Sequence, residues 1–178
     1  MDRPARVVKA QAVDALIARM DNRIGHALFI GAELPEVALH LLKKGLTITV
    51  VESDAGKLDA FLEPLRMEKL DRSVSIDSRP YSSIEFLSSS YNVIVSWRGL
   101  PADMAPALFF KKARRELKAG STLYLKINLQ PALEKLPLSI ADALSLPEAC
   151  SLEEVKEAAD RFLNLEEFIS LGVLTERL

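Results

Sequence analysis

The sequence predicts a doubly wound α/β domain, in which helices cover both faces of a mostly parallel sheet to give three layers. Short apolar, β-branched runs alternate with helical patterns along the chain, which is the element order of a parallel sheet. The 178 residues match one domain of ordinary size, and no linker or fixed-period repeat divides them. We therefore expect a single domain spanning residues 1–178.

Each predicted element has local signals for its limits. Pro35 favours a helix start, Gly45 a helix stop, and Pro64 is expected to kink or split the helix that contains it. The predicted helices before residue 130 cover residues 5–20, 35–44, 55–70 and 105–118. The predicted strands cover residues 27–31, 47–52, 73–78, 91–97 and 121–127.

The pattern divides the domain into an N-terminal helix (1–22), a core (25–130) and a closing region (131–178). Three prolines interrupt the closing region, which we read as a crossover made mostly of short helices. Residues 151–154 have capping-box spacing and open a helix that runs to about residue 160. Residues 162–178 fit either a hairpin around Gly172 or a last helix.

Composition excludes several classes of function. The formal net charge of −2 provides no global basic field for nucleic acid. The basic run at residues 111–118 lies on a predicted helix and reads as a solvated face. The single cysteine, Cys150, excludes a disulfide framework and favours a cytoplasmic setting. No stretch reaches membrane-spanning length, and the N-terminus lacks the apolar core of a signal peptide.

Ligands of open α/β sheets bind outside the carboxyl ends of the strands, which directs attention to the loops that follow them. After the first strand, Gly31, Ala32 and Glu33 lead into a helix, and the glycine allows the backbone to approach a ligand. Glu52 ends the second strand beside Ser53, about 20 residues later, where an acid commonly binds ribose hydroxyls. These residues are our first candidates for a cofactor loop.

The loop after the fourth strand contains Ser96, Trp97 and Arg98. A tryptophan and an arginine there suit stacking on a ligand and pairing with its charge, or Trp97 simply packs against the sheet end. His26 and His40 lack the neighbours that a metal site requires, so no metal is expected.

From residue 25 to about 130, the chain resembles the class I S-adenosylmethionine (SAM) methyltransferases, which have a Rossmann-like fold. Residues 27–65 resemble the family's first strand, cofactor loop, helix and acidic second strand. The family's fourth strand is resembled by residues 91–97, Tyr-Asn-Val-Ile-Val-Ser-Trp. The entry to its fifth strand is resembled by residues 116–125, Glu-Leu-Lys-Ala-Gly-Ser-Thr-Leu-Tyr-Leu. The resemblance implies SAM as cofactor and an unidentified methyl acceptor.

The resemblance also assigns roles to residues. It implies a cofactor site at the following residues: Gly31, Ala32, Glu33, Glu52, Ser53, Tyr81 and Ser96. Trp97 and Arg98 would border the substrate, and no catalytic acid–base pair is implied because the sulfonium of SAM is already activated. Glu52 matches the family's ribose-binding acid, and Tyr81 would lie near the adenine.

Four positions depart from the family's pattern. Phe29 stands where the family has an acid near the end of the first strand, and Pro80 where it has the adenine-contacting acid. Glu33 and Pro35 replace the second and third glycines of the Gly-x-Gly-x-Gly loop, so that Glu33 would face the methionine carboxylate of SAM with like charge.

Three functions follow from this comparison. The first is a SAM-dependent methyltransferase. The second is a non-catalytic relative that has lost SAM binding and serves as a binding or assembly module, with a protein partner or a second copy of itself. The third is a regulatory nicotinamide-binding domain, which residues 29–58 also resemble but residues 91–127 do not suit.

Overall fold

A computed structural model describes residues 25–126 without a gap, together with a few helical positions outside that range. Those positions are Val13, Asp14, Leu16, Ile17, Ala18, Met20 and Glu157. The predicted closing region, Cys150 and the two alternatives for residues 162–178 lie outside the described residues, as does most of the predicted N-terminal helix.

Residues 25–126 contain one five-stranded sheet in the order β3-β2-β1-β4-β5. Its strands are β1 (His26–Ile30), β2 (Thr47–Val51), β3 (Val74–Asp77), β4 (Tyr91–Ser96) and β5 (Leu117–Leu125). Every neighbouring pair of these strands is parallel. The chain progresses outward from β1 to β3, then returns to the other side of β1 for β4 and β5. The strand order therefore reverses between β1 and β4, which is the switch point where ligands of such sheets bind.

Three helices connect the strands: α1 (Pro35–Lys43), α2 (Ala55–Met67) and α3 (Pro106–Glu116). Prolines open α1 and α3. A proline is tolerated there because an N–H in the first turn of a helix has no carbonyl acceptor within the helix. Asp54 caps α2 by accepting a hydrogen bond from the Lys57 N–H at 3.1 Å. α2 runs continuously through Pro64 and is not split by it. Two 3₁₀ turns, Asp71–Ser73 and Tyr81–Ser83, flank β3.

The core lies on both faces of the sheet, which confirms the predicted three-layer fold class. One cluster joins Ala27 and Phe29 of β1 to buried residues of α1, α2 and the N-terminal helical positions. The other joins Leu28 and Ile30 of β1 to the buried face of α3, including Phe109. Alternate residues of β1 thus face opposite helical layers, and both faces of the strand are apolar because neither contacts solvent.

The boundary between α3 and β5 differs from the sequence prediction. We expected the helix to run to residue 118 and the strand to begin at residue 121, but α3 ends at Glu116 and β5 begins at Leu117. Leu117 is buried and pairs with Tyr91, whereas pairing resumes at Thr122 beside Val93. Burial of Leu117 in the core therefore ends the helix earlier than the glycine signal indicated. Between residues 25 and 126, the other predicted limits differ from the structure by three residues or fewer.

None of the helices among the described residues combines the length and apolar character needed to cross a bilayer.

Candidate functional site

Glu52, Gly31 and Arg98 come together at the carboxyl edge of the sheet. β1 and β2 pair in register, so Ile30 lies beside Val51 and the residues that follow each strand are neighbours. The loop after β4 reaches the same edge because β4 is the neighbour of β1 on its other side. The tertiary structure thus joins three loops that are up to 65 residues apart in sequence.

Gly31 allows the sharp turn from β1 towards α1. Its φ of +97° lies in the left-handed region, and its N–H donates to the Val51 carbonyl at 2.9 Å. A Cβ at this position would collide with the carboxylate of Glu33. The backbone conformation therefore favours glycine here, and a larger residue would also require the Glu33 carboxylate to shift.

Glu52 is a buried carboxylate at the end of β2, with 4% of its surface exposed. Its Oε1 accepts a hydrogen bond from the Asp54 N–H at 2.9 Å, and its Oε2 accepts from the Ala32 N–H at 3.4 Å. A buried carboxylate needs such donors, because removing a charge from water without them is costly. Glu52 therefore ties the loop after β1 to the loop after β2.

Arg98 bridges the two carboxylates at this edge. Its Nε donates to Glu33 Oε1 at 2.6 Å, and its Nη2 lies 2.5 Å from that same oxygen and 3.0 Å from Glu52 Oε2. Burial lowers the pKa of Arg98, but hydrogen bonds and charges from Glu33 and Glu52 outweigh it, and the net shift is upward. The side chain of Arg98 is 50% exposed, whereas that of Glu52 is 3% exposed.

A tight turn after β4 holds Arg98 in this position. The Ser96 hydroxyl donates to the Gly99 carbonyl at 2.6 Å, and Gly99 adopts a φ of +105°. Trp97 packs against the core cluster that contains α1 and α2, and the Lys126 ammonium lies 5.4 Å from its ring centroid. Arg98 thus projects from a turn whose neighbours on both sides are fixed.

The loop after β3 forms the other side of this edge. Asp77 ends β3 and accepts hydrogen bonds from the Arg79 guanidinium at 3.0 and 2.6 Å. The side-chain hydrogen bond from Arg79 is the main cause that lowers the pKa of Asp77. Further along, the Ser82 hydroxyl donates to the carboxylate of Asp103, which connects the loop after β3 to the loop after β4.

The described residues contain no group of three or more His, Cys, Asp or Glu side chains suited to hold a metal ion. His26 lies at the start of β1, away from the carboxyl edge, and its Nε2 is 3.0 Å from the Thr49 hydroxyl. His40 lies on α1.

Comparison with known proteins finds similarity in structure alone. No family model matches the sequence, and no curated protein matches it significantly. Geranyl diphosphate C-methyltransferase from Streptomyces coelicolor A3(2), solved with Mg²⁺, geranyl diphosphate and S-adenosyl-L-homocysteine, superposes with a TM-score of 0.67 at 15% identity. Phosphoethanolamine N-methyltransferase 2 from Haemonchus contortus, solved with SAM, has a TM-score of 0.62 at 20% identity.

The chain has the fold of the class I SAM-dependent methyltransferases. The alignments cover 89% of this chain and 62% of the Streptomyces enzyme, and 85% of this chain and 36% of the Haemonchus enzyme. The chain thus spans less than two thirds of the length of either. The [4+2]-cyclase SpnF is also similar, with a TM-score of 0.62 at 16% identity, so a methyltransferase fold does not by itself establish methyl transfer.

Within the methyltransferase fold, the predicted site residues separate into two groups. Gly31, Ala32, Glu33, Glu52 and Arg98 lie together at the carboxyl edge. The others have different surroundings. Ser53 is exposed, Ser96 is fully buried within its turn, and Tyr81 is buried in the core cluster that contains α3. The Tyr81 hydroxyl donates a hydrogen bond to Glu116 Oε2 at 2.7 Å, so the polar end of Tyr81 is held inside the protein.

Asp54 and Asp103 belong to this edge of the methyltransferase fold but were not singled out from the sequence. Asp54 had a detectable signal, because an aspartate immediately before the predicted helix start at residue 55 is a typical N-cap. Asp103 had none, since its contact with Ser82 depends on how two distant loops meet.

Proposed function

We propose that this chain binds SAM at the carboxyl edge of its sheet and transfers the methyl group to an acceptor. The fold supports the proposal because structurally similar methyltransferases were solved with S-adenosyl-L-homocysteine or SAM, and ligands of open α/β sheets bind at the carboxyl edge, where the strand order reverses. From the single cysteine we expect a cytoplasmic location.

The observation that carries the proposal is the position of Glu52. It stands at the end of β2, it is buried, and its carboxylate lies against the backbone of the loop that follows β1. Two acceptor oxygens held in this way suit the vicinal hydroxyls of a ribose. This is the position that the resemblance assigns to the ribose-binding acid.

The proposed chemistry requires positioning more than acid–base catalysis. The sulfonium of SAM is already activated, so an acceptor held in line with the methyl group reacts without a strong catalytic base. Trp97 and Arg98, in the turn after β4, would border the acceptor. Arg98 is half exposed, so it is available to a molecule that approaches from solvent.

A calorimetric titration of the protein with SAM and with S-adenosylhomocysteine tests the proposal. We expect binding of either ligand, and for Glu52→Gln a loss of about 1–3 kcal/mol, which is roughly fivefold to 150-fold in affinity. Glu36→Gln in the first turn of α1 is the matched control, because it removes the same charge from an exposed acid nearby. No heat from a folded sample would overturn the proposal, and an unchanged affinity of Glu52→Gln would remove the ribose role.

A second candidate is a non-catalytic module that keeps this fold for binding or assembly. It is favoured by the Arg98 guanidinium, which already contacts both Glu33 and Glu52 where the resemblance places a cofactor. On this alternative the protein binds neither ligand and associates with a protein partner or with itself. Sedimentation analysis of the ligand-free protein, followed by partner capture, distinguishes it from the first proposal.

A further inference from the structure

The Arg98 guanidinium places a positive group between two carboxylates at the candidate site. It contacts Glu33 Oε1 at 2.5–2.6 Å and Glu52 Oε2 at 3.0 Å. The protein thus holds a cation of its own against the acid that the proposed function assigns to a ribose.

Ribose hydroxyls and the Arg98 guanidinium compete for the same carboxylate. Glu52 has 3% of its side chain exposed and keeps two backbone donors, so it cannot move away without leaving those donors unpaired. The side chain of Arg98 is 50% exposed, and partly exposed ion pairs contribute little to stability. A ligand that enters therefore displaces Arg98 rather than Glu52.

Displacement of Arg98 takes the guanidinium away from Glu33 as well as from Glu52. The Glu33 side chain is 25% exposed and lies beside Gly31, where its carboxylate fills the space next to the glycine. A ligand with a positive group beside Glu33 replaces the attraction that the guanidinium supplied, whereas a ligand carboxylate there is repelled by the negative charge of Glu33.

We infer that Glu33 makes this site select adenosyl ligands by their positive charge, with Arg98 as the internal cation that the ligand replaces. The inference rests on the proposed function, because it assumes that the adenosyl group binds at Glu52. It names a ligand class: adenosyl sulfonium compounds, most strongly those without a carboxylate in the tail.

Three probes of graded charge test the inference by calorimetry. S-adenosylhomocysteine is neutral overall, SAM carries one net positive charge, and decarboxylated SAM carries two. We expect the affinity to rise in that order, by about tenfold for each added positive charge. The differences in affinity among the three ligands should become smaller as salt screens the site.

Two variants separate the roles of the charged groups. Glu33→Gln should reduce the differences among the three ligands to about threefold or less, while Glu36→Gln, which removes an exposed acid on α1, should preserve them. Arg98→Gln should tighten SAM by about threefold to tenfold, because no internal cation has to leave. Arg66→Gln, which breaks an exposed ion pair with Asp59, is its control.

The outcomes distinguish the inference from the function on which it rests. Binding of all three ligands with equal affinity, or with the neutral one tightest, overturns the inference and leaves the proposed function standing. Weaker SAM binding by Arg98→Gln overturns it too, because Arg98 would then be holding the methionine carboxylate. No binding of any ligand by the wild-type protein or either variant overturns both the inference and the proposed function.

Discussion

The same residue type has two different roles in this protein, and the position of each side chain decides which. Glu52 and Glu116 are both buried glutamates that contact a basic side chain. Glu52 faces Arg98, whose side chain is 50% exposed, whereas Glu116 faces Lys112, whose side chain is only 9% exposed. Glu52 is therefore suited to exchange partners with a ligand, and Glu116 to hold the core together.

We expect Gly31→Ala to lower the free energy of unfolding more than Gly45→Ala does. Both glycines have a positive φ, so the left-handed backbone costs either alanine about 1–2 kcal/mol. At Gly45 an added Cβ meets nothing within 4 Å, but at Gly31 it collides with Glu33. The excess loss at Gly31, measured by chemical denaturation, reports the displacement of Glu33. Equal losses in the two variants would show that Glu33 moves aside freely.

We expect His26 to lower the free energy of unfolding at mildly acidic pH. Partial burial lowers its pKa below the ordinary value of 6.5, with a smaller contribution from the positive charge of Lys118, so folding favours the neutral ring. This contribution to stability is fully present above about pH 6.5 and is lost as the pH falls towards the lowered folded-state pKa. The ring also contacts Thr49 and packs against Tyr91.

The decrease is expected to be under about 1 kcal/mol, because the ring is only partly buried. It should disappear in His26→Gln and persist in His40→Gln, when the free energy of unfolding is compared at about pH 7.5 and about pH 5.5. An identical pH profile in wild type and His26→Gln would contradict the assignment.

At the scale of elements, a buried polar network attaches α3 to the sheet. Lys112 Nζ and the Tyr81 hydroxyl both donate to Glu116 at 2.7 Å, and Lys112 also donates to the Ile84 carbonyl. Burial is the largest cause that raises the pKa of Tyr81, followed by the charge of Glu116, so the hydroxyl stays protonated. The network connects α3 to the turn after β3, next to the carboxyl edge.

Breaking this network on one side should be costly. We expect Glu116→Gln to lower the free energy of unfolding by about 3 kcal/mol, because Lys112 is left buried without its carboxylate. The double variant Lys112→Met, Glu116→Leu should recover most of the loss, since neither charge then remains. Lys43→Gln, which removes a half-exposed pair with Glu68, should change stability by no more than about 0.5 kcal/mol. Urea denaturation measures all three variants, and a loss in the double variant as large as that in Glu116→Gln would contradict the prediction.

At the scale of the whole molecule, the parallel sheet brings the loops after all its strands to one edge. Because β1 is central, it has a neighbour on each side, and residues from β2 and β4 meet at its end. A ligand bound at this edge contacts three loops at once, so binding should stabilise the fold as a unit.

We therefore expect SAM to raise the thermal midpoint of the full chain. At a concentration about 100 times its dissociation constant, a ligand specific for the folded state adds about 2.7 kcal/mol to stability, which for a chain of this size shifts the midpoint by roughly 5–10 °C. Scanning calorimetry with SAM measures the shift, and free methionine is the control. A midpoint that does not respond to SAM would favour the non-catalytic module.

Local patterns along the chain were enough to predict the alternation of strands and helices, the three-layer class and the resemblance to the methyltransferases. They also identified Gly31, Glu33, Glu52 and Arg98 as candidates, because glycine, acids and arginine after predicted strands have local meaning that does not depend on distant contacts. They placed the end of α3 too late, since the glycine signal at Gly120 was local while the burial of Leu117 was not.

Long-range contacts in the fold determine which of these candidates meet. Arg98 lies 65 residues from Glu33 and 46 from Glu52, so their ion pairs depend on β4 returning to the side of β1. Likewise, Tyr81 was a candidate for the adenine, but the packing of α3 holds its hydroxyl against Glu116. Residue types and local patterns can be read from the sequence. A site at the edge of a parallel sheet depends on long-range contacts, which form only when the chain folds.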